Sequence, residues 1–190
     1  MASTLTVDTI QGSANADNVK LPKGSVVQVE STTVTTGDTS VNTNVSVNGN
    51  NFLDIPNMNV IITPKYATSK ILVTYALTCS SSSGQSVMIR LARGNTPINV
   101  GTDATGAQVS ASHVFRTASG NYEYDASNIC GTFLDSPATT SATTYKLQFT
   151  GGADAAYNYT LNLNRVKNNI TTVAYAPVLV SGITVMEIAQ

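Results

Sequence analysis

The sequence predicts an all-β protein: an antiparallel β-sandwich of about eight strands, a jelly roll, behind an extended N-terminal arm. Three observations carry that expectation. Apolar and polar residues alternate with period two through most of the chain, no stretch of length shows a helical period, and Gly, Asn and Ser turn signals separate the alternating runs. A seven-strand immunoglobulin-like sandwich is the rival, weakened by the lack of Trp and of a suitable cysteine pair.

Taken in order, the first two dozen residues stand apart. TLTVDTIQG offers one short strand, but SANADNVKLPKG has too few apolar groups to pack alone. Residues 1–24 therefore read as an arm, with Leu5, Val7 and Ile10 as its docking side chains, and 25–190 as the sandwich. Strands are expected at Ser25–Thr36 and Phe52–Thr63. In SKILVTYALTC, Ile71, Val73, Tyr75, Leu77 and Cys79 share one face. Val87, Ile89 and Leu91 do the same in QSVMIRLAR, and Ile129–Leu134 forms a further strand. Tyr145, Leu147 and Phe149 oppose Lys146 and Gln148; Tyr157, Tyr159, Leu161 and Leu163 oppose Asn158, Thr160, Asn162 and Asn164. Gly182–Ala189 is apolar on both faces, which predicts a strand that is central or buried by a neighbour. Turns are expected at NGNN, SSSG, RGN and TGG, beginning at Asn48, Ser81, Arg93 and Thr150.

Charge is the unusual quantity. Only 11% of the 190 residues are charged and the net charge is −1, against about 25% charged in an average domain. Lys and Arg are scattered singly, so no basic stripe exists to bind nucleic acid or an anionic membrane. Sparse charge also removes a usual guard against edge-to-edge strand pairing, which predicts a surface covered by other subunits. The N-terminus lacks the basic start and apolar core of a signal peptide, and no run approaches transmembrane length.

Candidate chemistry is thin. Nucleophilic catalysis needs a base near a hydroxyl or thiol, and the one histidine, His113 in SASHVFR, reads as an exposed or hydrogen-bonded loop residue. The hydroxyls of LDSPATTSATTYKLQF have no base; that stretch reads as a strand-to-strand connection broken by its proline. Cys79 and Cys130 read as buried small hydrophobes in separate strands, with a disulfide left open. His and Cys together are too few for a zinc site, and no cofactor or metal is expected. Glu123 and Asp125 in NYEYDASN share a strand face; with Asn128 they form a weak calcium candidate, or the acids of a glycosidase, set against a solvated loop or interface patch. Tyr122 and Tyr124 flank Glu123, as rings do on a sugar-binding surface or equally in a core or interface, whereas Tyr157 and Tyr159 suit core or interface. Two Asn-x-Ser/Thr matches, at Asn158 and Asn169, follow from Asn and Thr abundance.

STLTVDTIQG, LPKGSVVQV, ITPKYATSKILV, LDSPATTSATTYKLQF and the final ITVMEIAQ, in that order, resemble virion structural proteins of tailed bacteriophages. The likeness is to the tail-fibre and fibre-like proteins of marine and cyanobacterial phages. It runs from Ser3 to Ile188, except for Ser80–Asn128. The resemblance implies a β-rich homotrimer without enzymatic activity, made in the host cytoplasm and built into the virion through its N-terminal segment. Its partners would be other virion proteins of tail or capsid and a host surface glycan or protein, with no nucleic acid and no membrane. A fibre or fibre tip serving host attachment is the expected role, and a capsid decoration or cement protein the alternative. Contact loops are expected at Ser80–Gln85, Gly101–Ser112 and Gly120–Asn128, with Tyr122, Glu123, Tyr124, Asp125 and Asn128 as contact residues.

Overall fold

The computed structural model describes residues 21–42, 51–81, 86–116, 124–151, 159–166, 172–174 and 176–190. Leu5, Val7, Ile10 and the rest of the arm before residue 21, together with Tyr122, Glu123 and Tyr157, lie outside the described residues. Among the described residues there are eleven strands: β1 (Val26–Val34), β2 (Asp38–Asn42), β3 (Leu53–Ile62), β4 (Lys70–Ser80), β5 (Val87–Arg93), β6 (Thr96–Ile98), β7 (His113–Phe115), β8 (Ser127–Asp135), β9 (Thr143–Gly151), β10 (Tyr159–Leu163) and β11 (Ser181–Ile188). Every pairing is antiparallel, and no helix occurs among the described residues.

The strands form two sheets, one of six and one of five. In the first, β4 pairs along one edge with β8 and along the other with β11 (Lys70–Ala76) and then β10 (Cys79 and Ser80). β10 and β11 thus lie end to end in one row, and β2 and β1 lie end to end beyond them. In the second sheet the order is β3, β9, β5, with β6 and β7 sharing the last row. Counted as rows, the sandwich has eight, four to a sheet. β2, β6 and β7 are the strands that the alternation did not predict.

The core lies between the sheets because the alternation places it there. Ile71, Val73, Leu77 and Cys79 of β4 meet Val87, Ile89 and Leu91 of β5 and Tyr145, Leu147 and Phe149 of β9, all of them fully buried. Ile183 and Val185 add the β11 row, which runs between β1 and β4 as its two-sided apolarity predicts. Tyr159 is buried as expected.

Four expectations need correction. Thr150 and Gly151 are no turn: they extend β9, opposite Met88 and Val87. A Cβ on Gly151 would overlap the Tyr159 ring, so glycine is required there by packing. Cys130 is exposed, because β8 is an edge strand and turns it outward; Cys79 is buried as expected, and neither cysteine is in a disulfide. Ser80 and Ser81 are buried at the end of β4 instead of beginning a contact loop, and residues 82–85 are outside the described set. The Asn face of β10 is not solvated: Asn162 and Asn164 are buried. Asn162 donates to Ser80 Oγ at 3.1 Å and accepts from Thr39 Oγ1 at 3.1 Å.

Asn164 does more. It follows β10 with φ at 54°, a conformation that Asn tolerates better than most residues. Its Nδ2 donates to Val34 O (2.7 Å) and Thr36 O (3.2 Å), and its Oδ1 accepts from Ser181 Oγ (2.6 Å). Its own N–H reaches Thr78 O at 2.8 Å. One side chain therefore bridges the break between β1 and β2 to the start of β11.

Two carboxylates brace the end of the sandwich that carries Ser25 and Ala189. Glu187, buried on the core side of β11, accepts from the N–H groups of Lys65 (2.9 and 3.0 Å) and Tyr66 (3.1 Å) and from Gln28 Nε2 (2.6 Å). Burial alone would raise its pKa, but these donors outweigh it and hold the carboxyl below its ordinary value. Asp135, at the end of β8, accepts from Arg93 Nη1 (3.0 and 2.8 Å) and from Tyr145 Oη (2.7 Å), tying the first sheet to β5 and β9 of the second. Burial, with Asp135 alongside, pushes the Tyr145 phenol far above its usual range.

Asn164→Ala leaves the buried Val34 carbonyl and Ser181 hydroxyl, and the part-buried Thr36 carbonyl, without this partner, so denaturant unfolding should show a loss of about 2–4 kcal/mol. Glu187→Gln should cost about 2–3 kcal/mol at neutral pH. Because the folded pKa is depressed, the wild-type advantage is complete above the unfolded carboxyl pKa and declines as pH falls through the folded one. Urea titrations in the acid range should therefore show the two proteins converging.

Candidate functional site

The expected contact segment Gly101–Ser112 is built as an excursion from one sheet row. β6 leaves the edge of β5 after Ile98 and β7 rejoins it at His113, so residues 99–112 start and finish beside the same strand. Ser112 clasps the base. Its N–H donates to Ile89 O (2.9 Å), while its Oγ donates to Asn99 O (2.8 Å) and accepts from Leu91 N–H (3.1 Å). Asn99 has φ at 54°, which turns the chain off the edge. At the tip, Gln108 Oε1 accepts from Thr105 N–H (3.0 Å) and Oγ1 (3.2 Å), with Gly106 at φ 61°.

Between this excursion and the outer face of the second sheet lies a groove of about 490 Å³. Met88 and Val114 are neighbours in the β5–β7 register and form its apolar floor; Val114 is 65% exposed. Asp103, Gln108, Ser110 and Ser112 line the walls. The groove thus pairs an apolar floor with hydroxyls, an amide and a single carboxylate, a composition suited to binding a largely neutral surface.

His113 sits at the groove's inner end, in β7 and not in a loop, and is hydrogen-bonded. Its Nε2 lies 2.8 Å from Tyr75 Oη, and the two rings meet edge to face at 5.9 Å. Tyr75 reaches it by crossing β8 at Gly131, where a Cβ would collide with the phenol. Burial lowers the His113 pKa and pushes the Tyr75 hydroxyl up to about 12. The pair is a cross-sheet bond. The neighbouring Ser112 Oγ gives its proton to Asn99 O, an arrangement that anchors a loop instead of activating a nucleophile.

Tyr124, Asp125 and Asn128 lie elsewhere, at and just before the start of β8 in the other sheet, and all three are exposed. Asn128 Nδ2 donates to Thr78 Oγ1 (3.1 Å) and its Oδ1 accepts from Cys130 Sγ (2.8 Å), so its carbonyl already has a donor. That argues against Asn128 as a calcium ligand alongside Asp125. Among the described residues no group of three or more His, Cys, Asp or Glu side chains is placed to hold a metal ion.

No protein-family model and no curated protein matches the chain, so the groove's role rests on its own residues. Ser112→Ala should release the excursion while leaving the core intact. Hydrogen exchange is expected to rise across 99–112 by about tenfold or more, with the β4 and β9 amides unchanged.

Proposed function

We propose that this chain is a non-enzymatic virion structural protein of a tailed phage. It serves in a tail or head fibre or fibre tip and contributes to host attachment. The jelly-roll reading of its sandwich is supported by the row order, 1-8-3-6 in one sheet and 2-7-4-5 in the other, the order left by winding paired strands around two sheets.

The observation that supports attachment is that the two ends of the sandwich differ. The end bearing Ser25, Ala189 and the chain terminus is braced by Glu187 and Asp135, as suits anchorage through the N-terminal arm to other virion proteins. The contact residues Tyr124, Asp125 and Asn128 gather at the other end of β8, about 26 Å away at the usual rise of a strand. The groove lies on the second sheet's outer face, its Met88 floor at the end of β5 away from Arg93 and Asp135. In a homotrimer carried many times on one particle, weak contacts to a host glycan or protein would add through high effective concentration.

A second reading, a capsid decoration or cement protein, is favoured by the outer face of the first sheet. Val29, Met186, Leu72 and Leu134 form one row across four strands. Ser31, Thr184, Thr74 and Thr132 form the next, and Thr33, Gly182, Ala76 and Cys130 a third, with no charge among the twelve. Such a face suits burial against a shell.

Adsorption separates the readings. Replacing residues 101–111 by a Gly/Ser linker of equal length, together with Tyr124→Ala and Asp125→Ala, should slow host adsorption by about tenfold or more while particles still assemble. Unchanged adsorption would reject the attachment role and leave the cement reading.

A further inference from the structure

Among the described residues, each sheet ends in two rows whose outer backbone edges pair with no other row: the β1/β2 row and β8 in the first sheet, β3 and the β6/β7 row in the second. An open edge presents unpaired N–H and C=O groups, and natural proteins blunt such edges with charge, proline, bulges or brevity. Three of these edges carry such devices. β3 holds Pro56, Asn57 at φ 60° and a register irregularity between Asp54 and Asn59. β6 and β7 are three residues each, and β6 contains Pro97. β1 carries Glu30 and a bulge between Val26 and Gln28, and its row breaks before β2.

β8 has none of them. Its nine residues, SNICGTFLD, pair in unbroken register with Ile71–Cys79. They include no proline and no charge before Asp135, whose carboxylate is already held by Arg93 and Tyr145. Beyond the ladder to β4, no backbone hydrogen bond joins them to another described segment. Among the four edges this is the long, regular, unguarded one.

We propose that two copies of this chain pair edge to edge through β8, antiparallel about a two-fold axis at Gly131. The strand's own composition identifies the occupant. Pairing about Gly131 engages all nine residues and sets Ile129 opposite Phe133 on the core side, with Cys130 opposite Thr132 and Asn128 opposite Leu134 outside. Apolar meets apolar within, and each Asp135 falls opposite a Ser127, so no like charges face each other. Phe133, packed at the margin of the core, and Leu134, 47% exposed, both lose contact with water. Two four-row sheets become one of eight rows. The pairing does not depend on the virion role, and it leaves any three-fold association to other surfaces.

Cys130 supplies the test in the native chain. In this register the two Cys130 residues lie on a diagonal of the new ladder, roughly 7–8 Å apart, while Cys79 is buried. A short bis-maleimide should convert the purified protein to a covalent dimer, and sedimentation at micromolar concentration should give two copies or a multiple of two. Thr132→Lys, at an exposed position, brings an ammonium from each copy toward its two-fold mate. It should abolish both the cross-link and the even-numbered mass while circular dichroism stays as in the wild type, and its melting should lose any dependence on protein concentration. Ser31→Lys, on the exposed face of β1, should change neither. A monomer or a trimer overturns the proposal, as does a dimer that cross-links equally well with Thr132→Lys.

Discussion

The sandwich depends on how it closes a gap in its own ladder. The two rows of the first sheet on the β10/β11 side of β4 are each spliced from two strands, β1 with β2 and β10 with β11, and both splices fall at the level of Asn164. A splice inside a sheet strands carbonyls that water cannot reach, at a cost of about 1–3 kcal/mol for each one left unpaired. The Asn164 amide takes up Val34 O and Thr36 O and turns its oxygen to Ser181, so two broken rows behave as continuous ones. A longer amide would place its head beyond these carbonyls, and most other residues resist the left-handed backbone found there.

The sparse charge of the chain acquires a structural meaning in the same way. Glu187 is ringed by backbone donors, Asp135 joins three strands across two sheets, and Asp54 meets Lys146 at 2.8 Å and Gln148 at 2.6 Å. Arg90, stacked at 3.8 Å over Phe52, hydrogen-bonds the same Gln148. These ionised groups work within the sandwich or on the second sheet's outer face. Apart from Lys70 and Asn128 toward its two ends, the first sheet's outer face is left mostly with methyls and hydroxyls, which water does not oppose strongly when another surface approaches.

Much of the fold was legible because a buried strand must alternate, and β4, β5, β9 and β11 do so over seven residues or more. β6 and β7 were not, since three residues cannot display a period. Asn162 and Asn164 looked like a solvated face because amides are usually exposed; only the row beside them supplies the partners that permit burial. Glu187 was hidden in an apolar run, where a lone carboxylate gives no hint of the N–H groups that the loop after β3 brings to it. The 99–112 segment was identifiable as irregular and polar, but its groove comes from Ser112 and from the Met88 and Val114 floor, contacts remote in sequence.

The clasp at Ser112 also changes what kind of variation this segment tolerates. Asn99 and Ser112 are held 2.8 Å apart, O to Oγ, so the excursion is a closed loop hanging from a fixed gate. The entropy of closing such a loop grows only with the logarithm of its length, about 0.6 kcal/mol for each doubling. Residues between the gateposts can be added, removed or exchanged with little penalty to the sandwich, provided the gate itself stays. Diversity is thereby confined to a place where the ladder does not register it.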